Sequence, residues 1–153
     1  FIMINIGRLF ELGIEIQHAN LGVNSFKMTQ DESEVVANLQ SHKVTDNHLL
    51  VIMIPSMDSK KSDSVDNIQF RNLMQFLVLE KRDPKLPKNN QEDMFIYKRT
   101  QETLNNILEY FFQHFDDDDS NCEMFRKLDV SSFEIDPVKG VSDCFGWSWS
   151  FNF

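Results

Sequence analysis

Apolar side chains recur at Ile2, Ile6, Leu9, Phe10 and Ile14, with Glu11, Glu15 and Gln17 between them, the spacing of one helix face. Gly13 interrupts the stripe, and His18-Ala19-Asn20-Leu21-Gly22 ends it, with Gly22 suited to a left-handed cap. Ser25 to Thr29 alternates weakly, as a short strand does. Asp31-Glu32-Ser33-Glu34 reads as the acidic start of a second helix, because carboxylates there face the positive end of its dipole. Val35, Val36 and Leu39 give that helix a short apolar face.

His48 to Ile54 is a near-continuous apolar run closed by Pro55, the pattern of a buried strand. A polar stretch of Ser, Asp and Lys follows at 56–67, long for a hairpin loop. Ile68 to Lys81 resumes with strand character, and Leu73 to Leu79 is apolar on both faces, which places it in the middle of a covered sheet. The two runs are expected to pair as an antiparallel hairpin whose tip projects. Two prolines, Pro84 and Pro87, make 82–90 irregular.

Residues 92–115 carry the clearest helical stripe, through Tyr97, Gln101, Leu104, Leu108, Phe111 and Phe115, widened by Ile107 and Phe112. At about 1.5 Å per residue this helix spans roughly 35 Å, and Asp116 to Asp119 is expected to end it. Phe133-Glu134-Ile135 and Trp147 to Phe153 read as strands, with a turn over Pro137 to Gly140 between them. The last strand alternates aromatic and small polar residues, so one of its faces is buried. The order predicts an α+β fold: one domain over 1–153, with an antiparallel or mixed sheet of about four strands, an N-terminal helix and a long helix in the C-terminal half.

Composition narrows the functions. The chain has 153 residues, 41% hydrophobic and 25% charged, which excludes a mainly disordered chain or a coiled-coil rod. A net charge of −9 argues against a general nucleic-acid binder, which needs a surplus of Lys and Arg for phosphate contacts. No segment approaches the roughly 18 apolar residues of a membrane span, so no membrane association is expected. Phe1 to Ile6 lacks the basic flank and cleavage site of a secretory leader. Cys122 and Cys144 are too few for a disulfide framework and read as free thiols.

Candidate chemistry is sparse. Asp117, Asp119 and Asn121 fit alternating positions of a calcium loop, but Cys122 stands where glycine is needed and Leu128 where the bidentate Glu belongs. A solvated acidic loop is the better reading. A metal-dependent nuclease site would draw on Asp58, Glu80 and Lys81, yet Glu80 and Lys81 are adjacent and point to opposite faces of a strand. His18, His42, His48 and His114 lack metal-ligand spacing, and neither a phosphate-cradling glycine loop nor a nucleophile elbow occurs. The Trp147, Trp149, Phe151, Phe153 stripe reads as core rather than a binding platform. Lys81 to Lys88 is the one local positive cluster. No catalytic group, metal or cofactor is expected.

The element order, with its polar hairpin tip, long amphipathic helix and aromatic last strand, resembles small tail-terminator and tail-completion (neck) proteins of tailed bacteriophages. Phe133 to Pro137, followed by Phe145-Gly146-Trp147-Ser148-Trp149-Ser150-Phe151, is similar to virion proteins of such phages. The likeness covers most of the chain by element order and residues 133–153 by motif. It implies a structural virion protein, assembled in the host cytoplasm as a homo-oligomeric ring between the head-side connector and the tail tube. DNA would pass as cargo, sliding past an acidic surface without specific binding. The expected interface residues are Met57, Asp58, Lys60, Lys61 and Asp63 at the hairpin tip, with Lys81, Arg82, Lys85 and Lys88 in the basic loop. Two readings from other classes stay open: a small acidic binding or immunity-type protein that docks a basic partner, and an enzyme whose site residues are dispersed.

Overall fold

The computed structural model describes residues 4–59, 70–115 and 128–152. Helix α1 (Ile6–His18) opens at Asn5, whose Oδ1 accepts a hydrogen bond from the Arg8 N–H at 3.1 Å, satisfying one of the orphan donors of the first turn. After α1 the chain turns through Asn20 and Gly22, both at positive φ (58° and 99°), into strand β1 (Ser25–Thr29). Helix α2 (Glu32–Ser41) is capped in both directions. Asp31 Oδ1 accepts from the Glu34 N–H at 2.9 Å, and Glu34 Oε2 accepts from the Gln30 N–H at 2.7 Å. A short 3-10 turn (Val44–Asp46) leads into β2 (Leu49–Ser59), followed by β3 (Phe70–Lys81), α3 (Asn90–Phe115), β4 (Asp129–Val141) and β5 (Cys144–Asn152).

The sheet order is β1-β2-β3-β5-β4. β1 runs parallel to β2 and the other neighbours are antiparallel, so the fold is α+β with a mixed five-stranded sheet. The weakly alternating 25–29 segment supplies the fifth strand. β3, apolar on both faces in sequence, lies at the centre, with α1 and α3 over one face and α2 over part of the other.

On the first face, α1 and α3 bury Leu9, Leu12, Ile16, Leu104, Ile107 and Phe111 against Leu50, Ile52, Met74, Phe76, Val78, Trp149 and Phe151. At its centre Phe76, Phe111, Trp149 and Phe151 meet mostly edge to face, with ring centroids 4.5 to 6.4 Å apart. Such pairs add about 0.5–1.5 kcal/mol each beyond the area they bury. On the second face, α2 lays Val35 and Leu39 over Leu49, Val51, Leu77, Leu79 and Cys144. α2 covers only the half of that face near the start of β2. Beyond it, among the described residues, the cross-strand rows Met53/Gln75/Ser150/Glu134 and Ser56/Leu73/Asn152/Asp129 carry no helix.

Three local expectations are corrected. Pro55 does not close β2; the strand continues to Ser59 across a register shift between Met53 and Ser56, and the proline sits at that bulge, where the ladder does not need its N–H. Pro137 to Gly140 is not a turn. Pro137 pairs with Trp147 within β4, an edge strand that tolerates a missing donor, and the hairpin turns instead at Ser142 and Asp143. Both residues have positive φ (50° and 59°), as a two-residue hairpin loop demands. In α3 the buried stripe runs through Ile96, Thr100, Thr103, Leu104, Ile107 and Phe111, while Gln101 is exposed. A threonine can occupy that stripe because its hydroxyl bonds back to its own helix: Thr100 Oγ1 donates to the Ile96 carbonyl at 2.8 Å. The expected helix end at Asp116 to Asp119 lies outside the described residues.

Candidate functional site

Polar side chains concentrate where β2 begins and β3 ends. His48 precedes β2, Glu80 faces α3 from the end of β3, and Arg99 and Thr103 stand one turn apart on α3. His48 Nε2 lies 2.9 Å from Glu80 Oε2, and His48 Nδ1 lies 2.8 Å from Thr103 Oγ1. Arg99 donates from Nη2 to Glu80 Oε1 at 2.6 Å and from Nε to Glu80 Oε2 at 3.1 Å. Burial pushes the Glu80 carboxyl up, but the hydrogen bonds from His48 and Arg99 outweigh it and hold the group below its ordinary range. The Arg99 guanidinium beside Glu80 is correspondingly raised.

Threonine, imidazole and carboxylate in series have the connectivity of a nucleophile relay. Thr103, however, is 4% exposed, and a Cβ on Gly22 would stand 2.8 Å from its hydroxyl, so a substrate has no approach to that oxygen. The four residues form a strut that ties α3 to two strands.

The next residue, Lys81, points to the opposite face, as strand alternation requires. Its Nζ donates to the carbonyls of Leu39 (3.1 Å), Gln40 (3.3 Å) and His42 (2.9 Å), capping the negative end of α2. Asn47 braces the same corner: its Oδ1 accepts from the Lys81 N–H at 2.9 Å and lies 2.8 Å from His42 Nε2, while its Nδ2 donates to the Lys81 carbonyl at 3.0 Å. Glu80 and Lys81 therefore serve different layers and share no site.

The expected interface residues divide. Arg82 is internal: it pairs with Asp93 and its guanidinium lies 4.6 Å from the centroid of the Phe145 ring. With Lys81 also committed, only Lys85 and Lys88 of the basic loop are exposed, and neither makes an ion pair among the described residues. Met57 is partly buried against the first-face core. Asp58 lies on β2 by its backbone, and Lys60, Lys61 and Asp63 fall outside the described residues, as do Cys122 and the acidic run 116–119.

The aromatic stripe of β5 is core, with Trp149 and Phe151 fully buried and Trp147 Nε1 donating to the Tyr97 carbonyl at 3.0 Å. Among the described residues no three His, Cys, Asp or Glu side chains converge as an ion-binding group, and no helix is long and apolar enough to cross a membrane. Sequence reading passed over Arg99 and Thr103 altogether. The available signal was a pair of polar residues, Thr100 and Thr103, placed at helical spacing among apolar ones. No protein-family model matches the chain, and no curated protein matches its sequence.

Proposed function

We propose that this chain is a structural component of a tailed-phage virion, one subunit of a ring at the neck or tail end that acts by assembly rather than by catalysis. The observation that carries the reading is the division of labour among its polar groups. Glu80, Arg99, His48, Lys81 and Arg82 are spent on holding helices to the sheet, while among the described residues half of the second sheet face carries no helix and the outer edges of β1 and β4 pair with no further strand. Open sheet faces and edges are surfaces that a neighbouring subunit covers. In this reading the head-side connector and the tail tube are the partners, and the acidic surface lets DNA slide past without phosphate contacts.

Native mass spectrometry combined with negative-stain imaging of the purified chain tests this. A closed ring of identical subunits is the expected result. A strict monomer that binds a cationic partner with steep salt dependence would overturn it in favour of an acidic binding protein.

A further inference from the structure

Of the eight exposed large hydrophobic residues among the described ones, six gather at the two ends of the strands. Leu86, Met94 and Phe95 belong to the loop after β3 and the first turns of α3, at one end. Leu73, Phe112 and Val130 lie at the other, where β3 and β4 begin and α3 approaches its end. Charge differs between the two ends at particular residues, although Lys27 lies exposed in the same cross-strand row as Asp136, and Asp83 stands beside Lys85. Lys85 and Lys88 flank Leu86, whereas Glu134, Asp136, Glu32 and Glu34 stand exposed beside the half of the second sheet face that no helix among the described residues covers.

That open half forms a shelf. Its floor is Met53, Gln75, Ser150 and the half-exposed Leu73, with Gln75 Nε2 donating to Ser148 Oγ at 3.0 Å across the strands. Glu134 and Asp136 stand exposed on β4, in the rows of Ser150 and Ser148, and Glu32 and Glu34 are exposed at the start of α2, Glu34 with one oxygen held by the Gln30 N–H. The width from β2 to β4 is about 14 Å at about 4.8 Å per strand, room for a short loop. Among the described residues none of these four carboxylates forms an ion pair.

The loop at the opposite end is built as a knob. Asp83 Oδ1 accepts from the Lys85 N–H at 2.9 Å and the Asp83 carbonyl accepts from the Leu86 N–H at 3.1 Å. Pro84 and Pro87 restrict the backbone on either side, so Leu86 is presented, 45% exposed, between two cations with little conformational freedom left to lose. Knob and shelf lie at opposite ends of β3, so a chain cannot fill its own shelf.

We infer that the Lys85–Leu86–Lys88 knob of one copy docks on the acidic shelf around Leu73 of a second copy of this chain, head to tail. Leu86 covers Leu73, and the two lysines face the Glu134/Asp136 and Glu32/Glu34 sides of the rim. The contact is heterologous, joining two different patches, so it propagates around a closed ring or along an open filament. It rests on the assembly reading above and names the surfaces that reading requires.

The test is sedimentation and native mass spectrometry of the full chain at micromolar concentration, for wild type, a Lys85→Glu/Lys88→Glu variant, a Glu134→Lys/Asp136→Lys variant and the two combined. All four positions are exposed, and circular dichroism and thermal melting confirm that each variant is folded. Each charge reversal is expected to weaken association about tenfold or more, and the combined variant to recover most of the loss. Wild-type association is expected to fall at about 1 M salt, where the screening length is about 3 Å. A ring that forms equally well in every variant overturns this contact and leaves the assembly reading standing. A wild-type chain that never associates overturns both.

Discussion

Arg99 holds Glu80 through two hydrogen bonds, at 2.6 and 3.1 Å, from one face of α3 to the end of the central strand. A forked guanidinium matches a carboxylate in this side-on geometry, and His48 takes one of the same oxygens. Glu80→Gln removes the charge that satisfies both partners, and the expected loss of stability is about 2 kcal/mol by denaturant unfolding. The pH dependence has a definite sign. The Glu80 carboxyl is depressed in the folded chain, so its contribution is fully present above the ordinary carboxylate value of about 4.3 and is lost as the pH falls through the lower folded value. The stability gap between wild type and Glu80→Gln should be constant near neutrality and close in acid. A gap that widens on acidification would contradict the assignment.

Gly146 sits in β5 where a Cβ would come within 1.9 Å of the Val78 carbonyl oxygen. That neighbour is backbone of the central strand and cannot swing aside. Gly146→Ala is expected to cost about 3 kcal/mol in thermal or chemical unfolding, and a near-neutral effect would show that the strands approach less closely.

Thr29 is fully buried at the end of β1, and its hydroxyl has no hydrogen-bond partner among the described residues. Replacement by the isosteric valine removes an unsatisfied polar group without opening a cavity. Thr29→Val should raise stability by about 1 kcal/mol, read as a higher melting temperature. A loss of stability would mean that the hydroxyl is bonded after all.

Burial pushes the Cys144 thiol up to about 11, with Asp143 adding to the shift and Lys81 opposing it. At pH 8 the group is a protonated, covered thiol and a poor nucleophile. In a Cys122→Ser background, alkylation of Cys144 should be slow in native buffer and should accelerate with denaturant in step with unfolding. Rapid labelling of the native protein would refute its burial.

Patterns with a single period were the legible part of this chain. Leu73 to Leu79, apolar at every position but Gln75, announced a central strand; the alternation around Trp149 and Phe151 announced a strand with one buried face. The adjacency of Glu80 and Lys81 was enough to assign them to opposite faces. Pro137 and Gly140 misled because proline on an edge strand gives the same signal as proline in a turn, while the true turn uses Ser142 and Asp143 in a conformation that glycine more often takes. The strut was illegible for a different reason. His48 meets a residue 32 positions away in Glu80 and one 55 positions away in Thr103, and no local spacing encodes contacts that only the sheet order creates.

That order has a consequence for how the molecule is made. β5 follows β4 in sequence but lies between β3 and β4. A nascent chain that has not yet reached Cys144 therefore has one side of its central strand unpaired and β4 with nothing to pair against. In that interval Phe76 and Phe111 lack the indole of Trp149 that later covers them. The described sheet cannot be completed strand by strand in sequence order; it closes when β5 inserts between β3 and β4. Until then an open strand edge and the aromatic surface of Phe76 and Phe111 are available to a neighbouring chain, the kind of surface that invites aggregation and chaperone capture.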